Sequence, residues 1–336
     1  MSVAKKIKLD TMVKQICTHS GSFHADESLA VYMLRLLSEY KDAKVCRSRN
    51  PEDWAASDIV VDVGAQYDGV KFFDHHQREF TGTFSEKYET KLSSAGLVFK
   101  HFGRRIIQEV LEGGASEGDL DILYEKVYKN FVEALDANDN GISQYDTKGT
   151  NLKPRFNERA VSIPGIIGGF NPRWNEPATD DVYDARFQKA SGFIGQIFVD
   201  LVKGYGLGWL PAKALVRTAI EGRNAVDASG KIVVFDQFCP WKEHLYEIER
   251  ELGIEGQIEF VLFTDSSGSW RVSTVPVSSG SFEFRRGLPE ALRGLRDDVL
   301  SEKSGVPGCI FIHTAGFIGG AKTKDSALQL AKMSLK

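Results

Sequence analysis

The sequence predicts an α/β protein of two domains. Two apolar runs, 59–64 and 70–73, are rich in β-branched and aromatic residues and are bounded by glycine and aspartate. Such runs are typical of strands that are buried on both faces, as in a parallel sheet. Segments with helical periodicity alternate with them, which favours a doubly wound sheet. The length of 336 residues fits two domains of roughly 150 residues each.

The elements of the first domain follow one another in a regular order. Val13–Thr18 has the pattern of a strand, and the segment after the Ser20–Ser22 turn has apolar residues at helical spacing up to Tyr40. The next elements predicted are a strand at Val45–Arg49, a helix at Pro51–Ser57, the two central strands, a helix capped by Ser93–Ser94, and a helix from Asp119 to about Gly141. Lys148–Asp181 is rich in proline and glycine, so we expect a loop that forms a rim or lid there. The first domain is predicted to cover residues 1–205.

Short strand patterns dominate the last third of the chain. Helical patterns at Val182–Lys203 and Pro211–Arg223 precede them, and the glycine-rich run 204–208 is predicted as a turn because it follows a helix rather than a strand. The strands expected are Ile232–Phe235, Gln257–Phe263, Trp270–Val277 and Cys309–His313. We therefore predict a connector at 206–229 and a smaller α/β domain with a mixed sheet at 230–336, which would bind substrate.

Composition and charge exclude several classes of protein. The chain is 42% hydrophobic and 26% charged, as ordinary globular proteins are. A net charge of −4 does not favour broad attraction to nucleic acid, so any phosphate contact must be local. The four cysteines are scattered and no stretch is long enough to span a membrane, which predicts an intracellular protein. We expect it in the cytoplasm and nucleus, with the mitochondrion as the alternative; the basic cluster Lys5–Lys8 is a weak nuclear-entry signal or a solvated terminus.

Acidic and imidazole side chains follow the predicted strands. His19 comes after the first strand, and His24 and Asp26 flank the same turn. Asp62 and the triplet Asp74-His75-His76 end the two central strands. Because the carboxyl ends of parallel strands open into one crevice, these groups could share a divalent metal there. The alternatives are a helix-dipole role for Asp26 and turn or cap roles for the others.

A further acidic cluster ends the helix that starts at Asp119. Asp136 and Asp139 lie in the segment Leu135–Gly141. Negative charge at the carboxyl end of a helix opposes the helix dipole, so one of these aspartates needs a partner, and a metal would be one. A solvated turn is the alternative.

In combination these motifs resemble a known family. The triplet Asp74-His75-His76, the earlier Val61–Gly64 and the later Leu92–Val98 are similar to motifs of the DHH phosphoesterase superfamily. Within that superfamily the chain most resembles the MYG (melanocyte proliferating gene) exonuclease family, and the resemblance covers nearly the whole chain. The segments that carry it are Thr18–Glu27, Leu135–Gly141, Pro240–Leu245, Leu292–Asp297 and Phe311–Gly320.

The resemblance implies a metal centre. The metal-binding residues that it implies, together with the two candidates from the first turn, are His19, His24, Asp26, Asp62, His75 and Asp136. Asp62 would bridge two ions and His76 would contact the scissile phosphate, with Asp74 as the second catalytic candidate. The superfamily has histidine, three residues and then Asp-x-Asp, whereas here His24-Ala25-Asp26 begins one residue further on, so how these two share the ions stays open.

The resemblance also implies an activity. Two divalent ions can activate water and stabilise the leaving oxygen in phosphoryl transfer. Mixed aspartate and histidine ligands favour Mn²⁺ over Mg²⁺, with Zn²⁺ and Co²⁺ as further alternatives. By the resemblance the substrate would be RNA or a short oligonucleotide, degraded by a 3′-to-5′ exonuclease. The alternatives are a small-molecule phosphatase or pyrophosphatase, a nucleotide phosphodiesterase, and a non-catalytic RNA-binding protein.

Candidate substrate-binding residues lie in the second domain. A glycine-rich strand-to-helix loop at 314–322 would present backbone N–H groups to an anion, and an arginine run favours a polyanionic substrate. The alternative is that these arginines form surface ion pairs. The candidates are Arg285, Arg286, His313, Gly319 and Gly320. No membrane partner is expected, and a homodimer is an open alternative to a monomer.

Overall fold

The computed structural model describes residues 13–146, 148–149 and 153–336. The basic cluster at Lys5–Lys8 lies outside the described residues, as do four positions in and next to the predicted 148–181 loop. Contacts along the chain divide it into two compact units, of which the first ends at Gly206 and the second is Leu207–Lys336. We describe each unit by itself.

A parallel sheet of four strands forms the centre of the first unit. Its strands are β1 (Gln15–Thr18), β2 (Lys44–Arg47), β3 (Ile59–Val61) and β4 (Phe72–Phe73), in the order β2-β1-β3-β4. All of the pairings are parallel, and β3 is fully buried, as a run of isoleucine and valine predicts. The predicted parallel sheet is confirmed. Its strands all end at one edge, and the residues that follow them meet there.

Helices cover this sheet and supply most of the apolar core. The helices described in the first unit are α1 (Ala25–Leu36), α2 (Pro51–Ala56), α3 (Ser94–Val110), α4 (Glu117–Val127), α5 (Glu133–Asp139), α6 (Ile163–Phe170) and α7 (Asp180–Lys203). α1 packs against α3 and α7, and it buries the predicted apolar positions Leu29 and Met33 completely. A π-helical turn, Tyr128–Val132, joins α4 to α5 and so sets which residues of α5 face inward.

Two segments of the first unit differ from the prediction. Residues 163–170, predicted as loop, form α6, because Ser162 caps the first turn by accepting a hydrogen bond from the Gly165 N–H, and Pro164 is tolerated where an N–H is not needed. The run 204–208, predicted as a turn, is part of a π-helical segment, Gly204–Trp209. Both places are rich in glycine, which favours loops, yet both are helical.

The second unit contains a mixed sheet of five strands, which confirms that prediction. The strands are β5 (Ile232–Val234), β6 (Phe260–Thr264), β7 (Trp270–Thr274), β8 (Cys309–Ile312) and β9 (Ile318–Ala321), in the order β5-β6-β7-β9-β8. β5 and β6 are parallel, and the other pairs are antiparallel. Phe260 and Leu262 belong to one apolar cluster and Val261 to another, so β6 is buried on both faces.

Helices of the second unit begin directly after its first residues. They are α8 (Leu210–Glu221), α9 (Arg223–Val226), α10 (Lys242–Leu252), α11 (Asp297–Ser304) and α12 (Lys324–Met333). The segment 206–229, predicted as a connector, therefore carries two helices. Among the residues that the structure describes, no helix is both long and apolar enough to cross a membrane.

The glycine-rich loop predicted at 314–322 is a turn at 314–317 only, and the prediction is wrong for Ile318–Ala321, which form β9. Gly319 and Gly320 lie in β9, where they pair with Val272 and Arg271 of β7. A Cβ at residue 320 would collide with the guanidinium of Arg271, and one at residue 319 would lie 3.1 Å from the Phe311 carbonyl oxygen. The glycines are thus explained by close packing within a hairpin, and their backbone groups belong to the sheet rather than to an anion-binding loop.

Candidate metal centre

A cleft with a volume of about 1130 Å³ opens where β1, β3 and β4 end. Side chains that follow these strands line it, together with residues of α5 and α6. The predicted metal-binding residues that line the cleft are His19, His24, Asp26, Asp62 and His75. Asp136 does not line it. The structure therefore brings together residues that lie more than a hundred positions apart in the sequence.

Asp62 lies at the centre of the cluster, directly after β3. One carboxylate oxygen, Oδ2, is 3.4 Å from His19 Nε2, and the other, Oδ1, is 3.5 Å from His75 Nε2. The Ser94 hydroxyl at the start of α3 donates to Oδ1 at 3.0 Å. The Asp62 backbone has a φ of 55°, in the left-handed region that aspartate and asparagine adopt more readily than most residues. This conformation turns the carboxylate between the two imidazoles, so Asp62 can serve ligands on either side.

Asp26 is the side chain that most clearly needs a partner. It is 1% exposed, and neither of its carboxylate oxygens has a hydrogen-bond partner in the protein. A buried, unpaired carboxylate is costly unless a cation or a proton compensates it. Ligand atoms of Asp26, His24 and Asp139 lie within 4.8 Å of one another. The position of Asp26 is therefore better explained by a bound cation than by the helix dipole alone.

The structure corrects the prediction for Asp136. This carboxylate is fully buried away from the cleft, where Oδ1 accepts hydrogen bonds from the Ser93 N–H and hydroxyl and from the Gly96 N–H, and Oδ2 accepts one from the Tyr128 hydroxyl. With both oxygens occupied, Asp136 ties α5 to the start of α3. Asp139, three residues later, lines the cleft instead, with Oδ2 3.0 Å from His75 Nε2.

Asp74 and His76 form a hydrogen-bonded pair beside Asp62 and His75 at the cleft. Asp74 Oδ2 accepts a hydrogen bond from the Ala65 N–H at 2.6 Å, and Oδ1 accepts one from the His76 N–H at 3.1 Å. The Nδ1 of His76 is 2.7 Å from the same Oδ1, and the histidine side chain is 59% exposed. Asp74 therefore holds the ring through Nδ1, and a contact of His76 with the scissile phosphate stays a prediction.

Burial and crowded carboxylates govern the protonation of the cluster. Burial lowers the pKa of His19, but the neighbouring carboxylates, first of all Asp62, outweigh it and raise the pKa to about 10. The pKa of His75 rises to about 9 in the same way, mainly through Asp139. Burial raises the pKa of Asp26 well above its usual range, whereas the two imidazoles outweigh burial at Asp62 and hold its pKa below the usual range. The cluster contains more carboxylates than cations, and divalent ions would balance them.

The donor set fits divalent metal ions. Three groups of side chains offer ligand atoms within 4.8 Å of one another: His19, His24, Glu27 and Asp62; Asp62, Asp74, His75 and His76; and His24, Asp26 and Asp139. Asp62 belongs to two of these groups, which agrees with a bridging position. Mixed oxygen and imidazole nitrogen donors of this kind suit Mn²⁺ or Zn²⁺. Mg²⁺ is more commonly bound by carboxylates and water.

The candidate substrate residues of the second unit have partners within that unit. Arg285 makes a bidentate ion pair with the buried Glu249, at 2.7 Å for each bond, and donates a further hydrogen bond to the Ile258 carbonyl. Arg286 pairs with Glu259. The His313 ring is on the surface, where its Nδ1 accepts a hydrogen bond from the Ala315 N–H at 3.1 Å. The arginines thus form intramolecular ion pairs, which was the alternative prediction for them.

This geometry gives a test that separates a structural from a substrate-binding role of Arg285. Arg285→Ala should lower the free energy of unfolding by about 3–5 kcal/mol, because it leaves the Glu249 carboxylate buried and unpaired. Arg286→Ala, the matched control, should cost no more than about 1 kcal/mol, since its side chain is 40% exposed. Urea denaturation measures both. If Arg285→Ala keeps full stability but loses affinity for substrate, the residue binds substrate.

Comparison with known proteins identifies the family. The sequence model MYG1_exonuc, described as "Uncharacterised protein family (UPF0160)", matches residues 15–335. The chain belongs to the MYG1 family. A MYG1 protein of Saccharomyces cerevisiae is 71% identical over 337 residues, which is 100% of both chains. A MYG1 protein of Schizosaccharomyces pombe is 53% identical over 97% of this chain and 98% of that protein. The human MYG1 exonuclease is 45% identical over 96% of this chain and 85% of the human protein.

One solved structure also resembles this chain, but only weakly. A crystal structure of the exonuclease RecJ bound to manganese matches this MYG1-family chain over 96% of its length and 89% of the RecJ chain, with 14% sequence identity. The TM-score is 0.23, and at that value the match carries no argument about fold or function.

Three residues in or beside this MYG1-family cleft are not among the metal ligands predicted from the sequence: Glu27, Arg49 and Asp139. Glu27 is fully buried, accepts a hydrogen bond from the His24 N–H and lies 3.1 Å from His19 Nε2. Its signal was its place three residues after the helix cap. Asp139 was weighed but not chosen. Arg49, two residues beyond β2, lies 3.3 Å from His19 Nδ1.

Proposed function

We propose that this protein is a metal-dependent phosphodiesterase that removes nucleotides from the 3′ end of RNA. The observation that carries the proposal is the arrangement around Asp62, whose two oxygens face imidazoles on opposite sides while a buried, unpaired Asp26 lines the same cleft. A buried carboxylate without a hydrogen-bond partner is costly unless a proton or a cation compensates it, and divalent ions in the cleft would do so. The curated relative from human is named an exonuclease, which supports a nuclease rather than another phosphoesterase.

The residues of the cleft divide into those that hold metal and those that meet phosphate. The residues that would hold the divalent ions, with Mn²⁺ as the first choice, are His19, His24, Asp26, Asp62, His75 and Asp139. When bound, the ions would supply Lewis-acid stabilisation of the charge that develops on the phosphate. The fixed donors leave little to rearrange on binding, which favours catalysis by pre-organisation.

Cationic side chains make the cleft attractive to a polyanion. Arg49, Arg78, Lys91 and Arg159 all line it, although the whole chain has a net charge of −4. Local positive charge of this kind binds backbone phosphates and gives salt-dependent affinity. The preference for RNA and the 3′-to-5′ direction rest on the motif resemblance, and they are the finer part of the proposal.

His76→Ala should slow hydrolysis while it leaves the metal content unchanged. The ring is held by Asp74 at the edge of the cleft, and it can contact a phosphate through Nε2. Loss of one such contact typically costs about 10²–10³-fold in kcat. Turnover of RNA and metal analysis of the same preparation measure the two effects. A variant that loses metal together with activity would make His76 a ligand.

Single-stranded RNA and DNA of one sequence, labelled at either end, test the proposal directly. After treatment with a chelator and addition of Mn²⁺, 5′-labelled RNA should shorten stepwise, and the treated protein without added metal should be inactive. Hydrolysis of pyrophosphate or free nucleotides alone would indicate a small-molecule phosphatase. Binding of RNA without hydrolysis under any divalent metal would indicate a non-catalytic protein.

A further inference from the structure

The cleft has another wall, formed by α6, that the proposed chemistry does not use. Ser162, Pro164, Gly165 and Gly168 line the cleft, and we call them the α6 face. Positions 162, 165 and 168 recur at a spacing of three and therefore share one side of the helix. Asp26, buried and without a hydrogen-bond partner, lines the same cleft. The space between them is thus shaped for a ligand that the protein itself does not provide.

Glycine at position 168 has no explanation in the packing of the chain. Glycine inside a helix is less favourable than alanine, so each glycine of α6 needs a reason. At Gly165 the reason is steric, because a Cβ there would collide with the Arg159 carbonyl oxygen. At Gly168 and at Gly169 a Cβ would meet no atom within 4 Å, and of these two only Gly168 lines the cleft. Because Gly168 lines the cleft, an added side chain would project into the space where substrate lies.

α6 is fixed relative to the metal-binding residues. Asn171, directly after the helix, accepts a hydrogen bond from the Phe23 N–H at 3.0 Å and donates one to the Phe23 carbonyl at 2.8 Å. Phe23 belongs to the loop that carries His19 and His24. These two hydrogen bonds tie the end of α6 to the loop on the metal-binding side of the cleft.

The α6 face recognises shape rather than negative charge. Pro164 has no N–H, the Gly165 N–H donates to the Ser162 hydroxyl at 3.2 Å, and the Ile166 N–H donates to the Ser162 carbonyl at 2.9 Å. These first-turn donors are occupied, so this end of α6 is a poor site for phosphate. A flat, uncharged group such as a sugar or base fits a surface of glycine and proline. Arg159, just before the helix, lines the cleft and can meet the adjoining phosphate.

We propose that the α6 face holds the nucleoside part of the nucleotide that is being removed, and that Gly168 keeps this surface open for it. The inference rests on the proposed function and narrows it, because it requires a substrate with nucleoside units rather than pyrophosphate. Binding energy from this remote part of the substrate would align the scissile bond with the metal-binding residues.

Gly168→Ala and Gly169→Ala form a matched pair for the test. Both glycines lie exposed in the same helix with nothing within 4 Å of an added Cβ, but only Gly168 lines the cleft. Both changes should leave Tm unchanged or raise it by about 1–3 °C, since alanine favours the helix. Gly168→Ala should lower kcat/KM on RNA by at least about 10-fold, whereas Gly169→Ala should stay within about twofold of the unaltered protein. Gly168→Leu should cost more than Gly168→Ala.

Equilibrium binding of adenosine 5′-monophosphate and of inorganic phosphate, with Mn²⁺ present, separates this inference from the proposed function. Gly168→Ala should raise the Kd of the nucleotide more than that of phosphate, and Gly169→Ala should change neither. That result would support the α6 face even if the protein hydrolyses no RNA, in which case the proposed function alone fails. Equal Kd values and equal kcat/KM values in the two variants would overturn the inference.

Discussion

Asp62→Asn is expected to abolish hydrolysis and to release most of the bound metal. Asparagine keeps the shape of the side chain, and it tolerates the left-handed backbone at this position, so the variant should fold. It loses the negative charge that lies between His19 and His75, 3.4 and 3.5 Å away. Without that charge two cations cannot be held close together, and kcat should fall by at least about 10³-fold.

Metal analysis and thermal unfolding of the same preparation make the Asp62 result interpretable. A folded variant with reduced metal content and no activity supports the bridging position. Serine 94, whose hydroxyl donates to Asp62, offers the milder control: Ser94→Ala should keep the metal and most of the activity, because it removes one hydrogen bond and no charge. If Asp62→Asn binds metal and turns over RNA like the unaltered protein, Asp62 does not bridge.

Asp139→Asn and Asp136→Asn should have opposite effects on metal and on stability. Asp139 lines the cleft next to His75, so its change to asparagine should reduce metal content and activity with little effect on Tm. Asp136 accepts four hydrogen bonds in the core. The amide oxygen of asparagine can keep the three bonds to Oδ1, but the NH₂ group cannot accept from the Tyr128 hydroxyl, so Asp136→Asn should lower the free energy of unfolding by about 1–3 kcal/mol.

These two variants distinguish Asp139, the ligand that the structure indicates, from Asp136, the ligand that the motif resemblance implies. The motif resemblance assigned the ligand to Asp136, whereas the structure places Asp139 at the cleft. Denaturant unfolding and metal analysis are measured for both variants. The geometry predicts that Asp139→Asn loses metal and that Asp136→Asn loses stability. An Asp136→Asn protein that is stable but free of metal would restore the first assignment.

The sequence predicted the parts of the site that depend on strand ends. Apolar runs identify buried strands, and parallel strands end at one edge, so His19, Asp62 and His75 could be placed together before the structure was known. Asp136 could not be separated from Asp139 in this way. They are three residues apart on one helix, and only the π-helical turn before α5 and its packing against α3 determine which one faces the cleft.

Several glycines that were predicted to lie in loops lie in a helix or a strand, where close packing favours a residue without a Cβ. Gly319 and Gly320 lie in a strand, and glycine suits these positions because the Arg271 side chain and the Phe311 backbone leave no room for a Cβ. Gly165 lies in a helix, and a Cβ there would collide with the Arg159 carbonyl oxygen. Which atoms approach a glycine is a property of the folded chain, and no local pattern in the sequence carries it. The partners of Arg285 and Arg286, Glu249 and Glu259, were hidden for the same reason.

Anomalous X-ray diffraction from crystals grown with Mn²⁺ tests the central claim most directly, because it locates the metal without reference to activity. Strong anomalous peaks are expected in the cleft, in contact with Asp62 and with His19 or His75, and none at Asp136. Fully occupied Mn²⁺ elsewhere in the protein, with this cleft free of anomalous density in crystals of a preparation that degrades RNA, would contradict it.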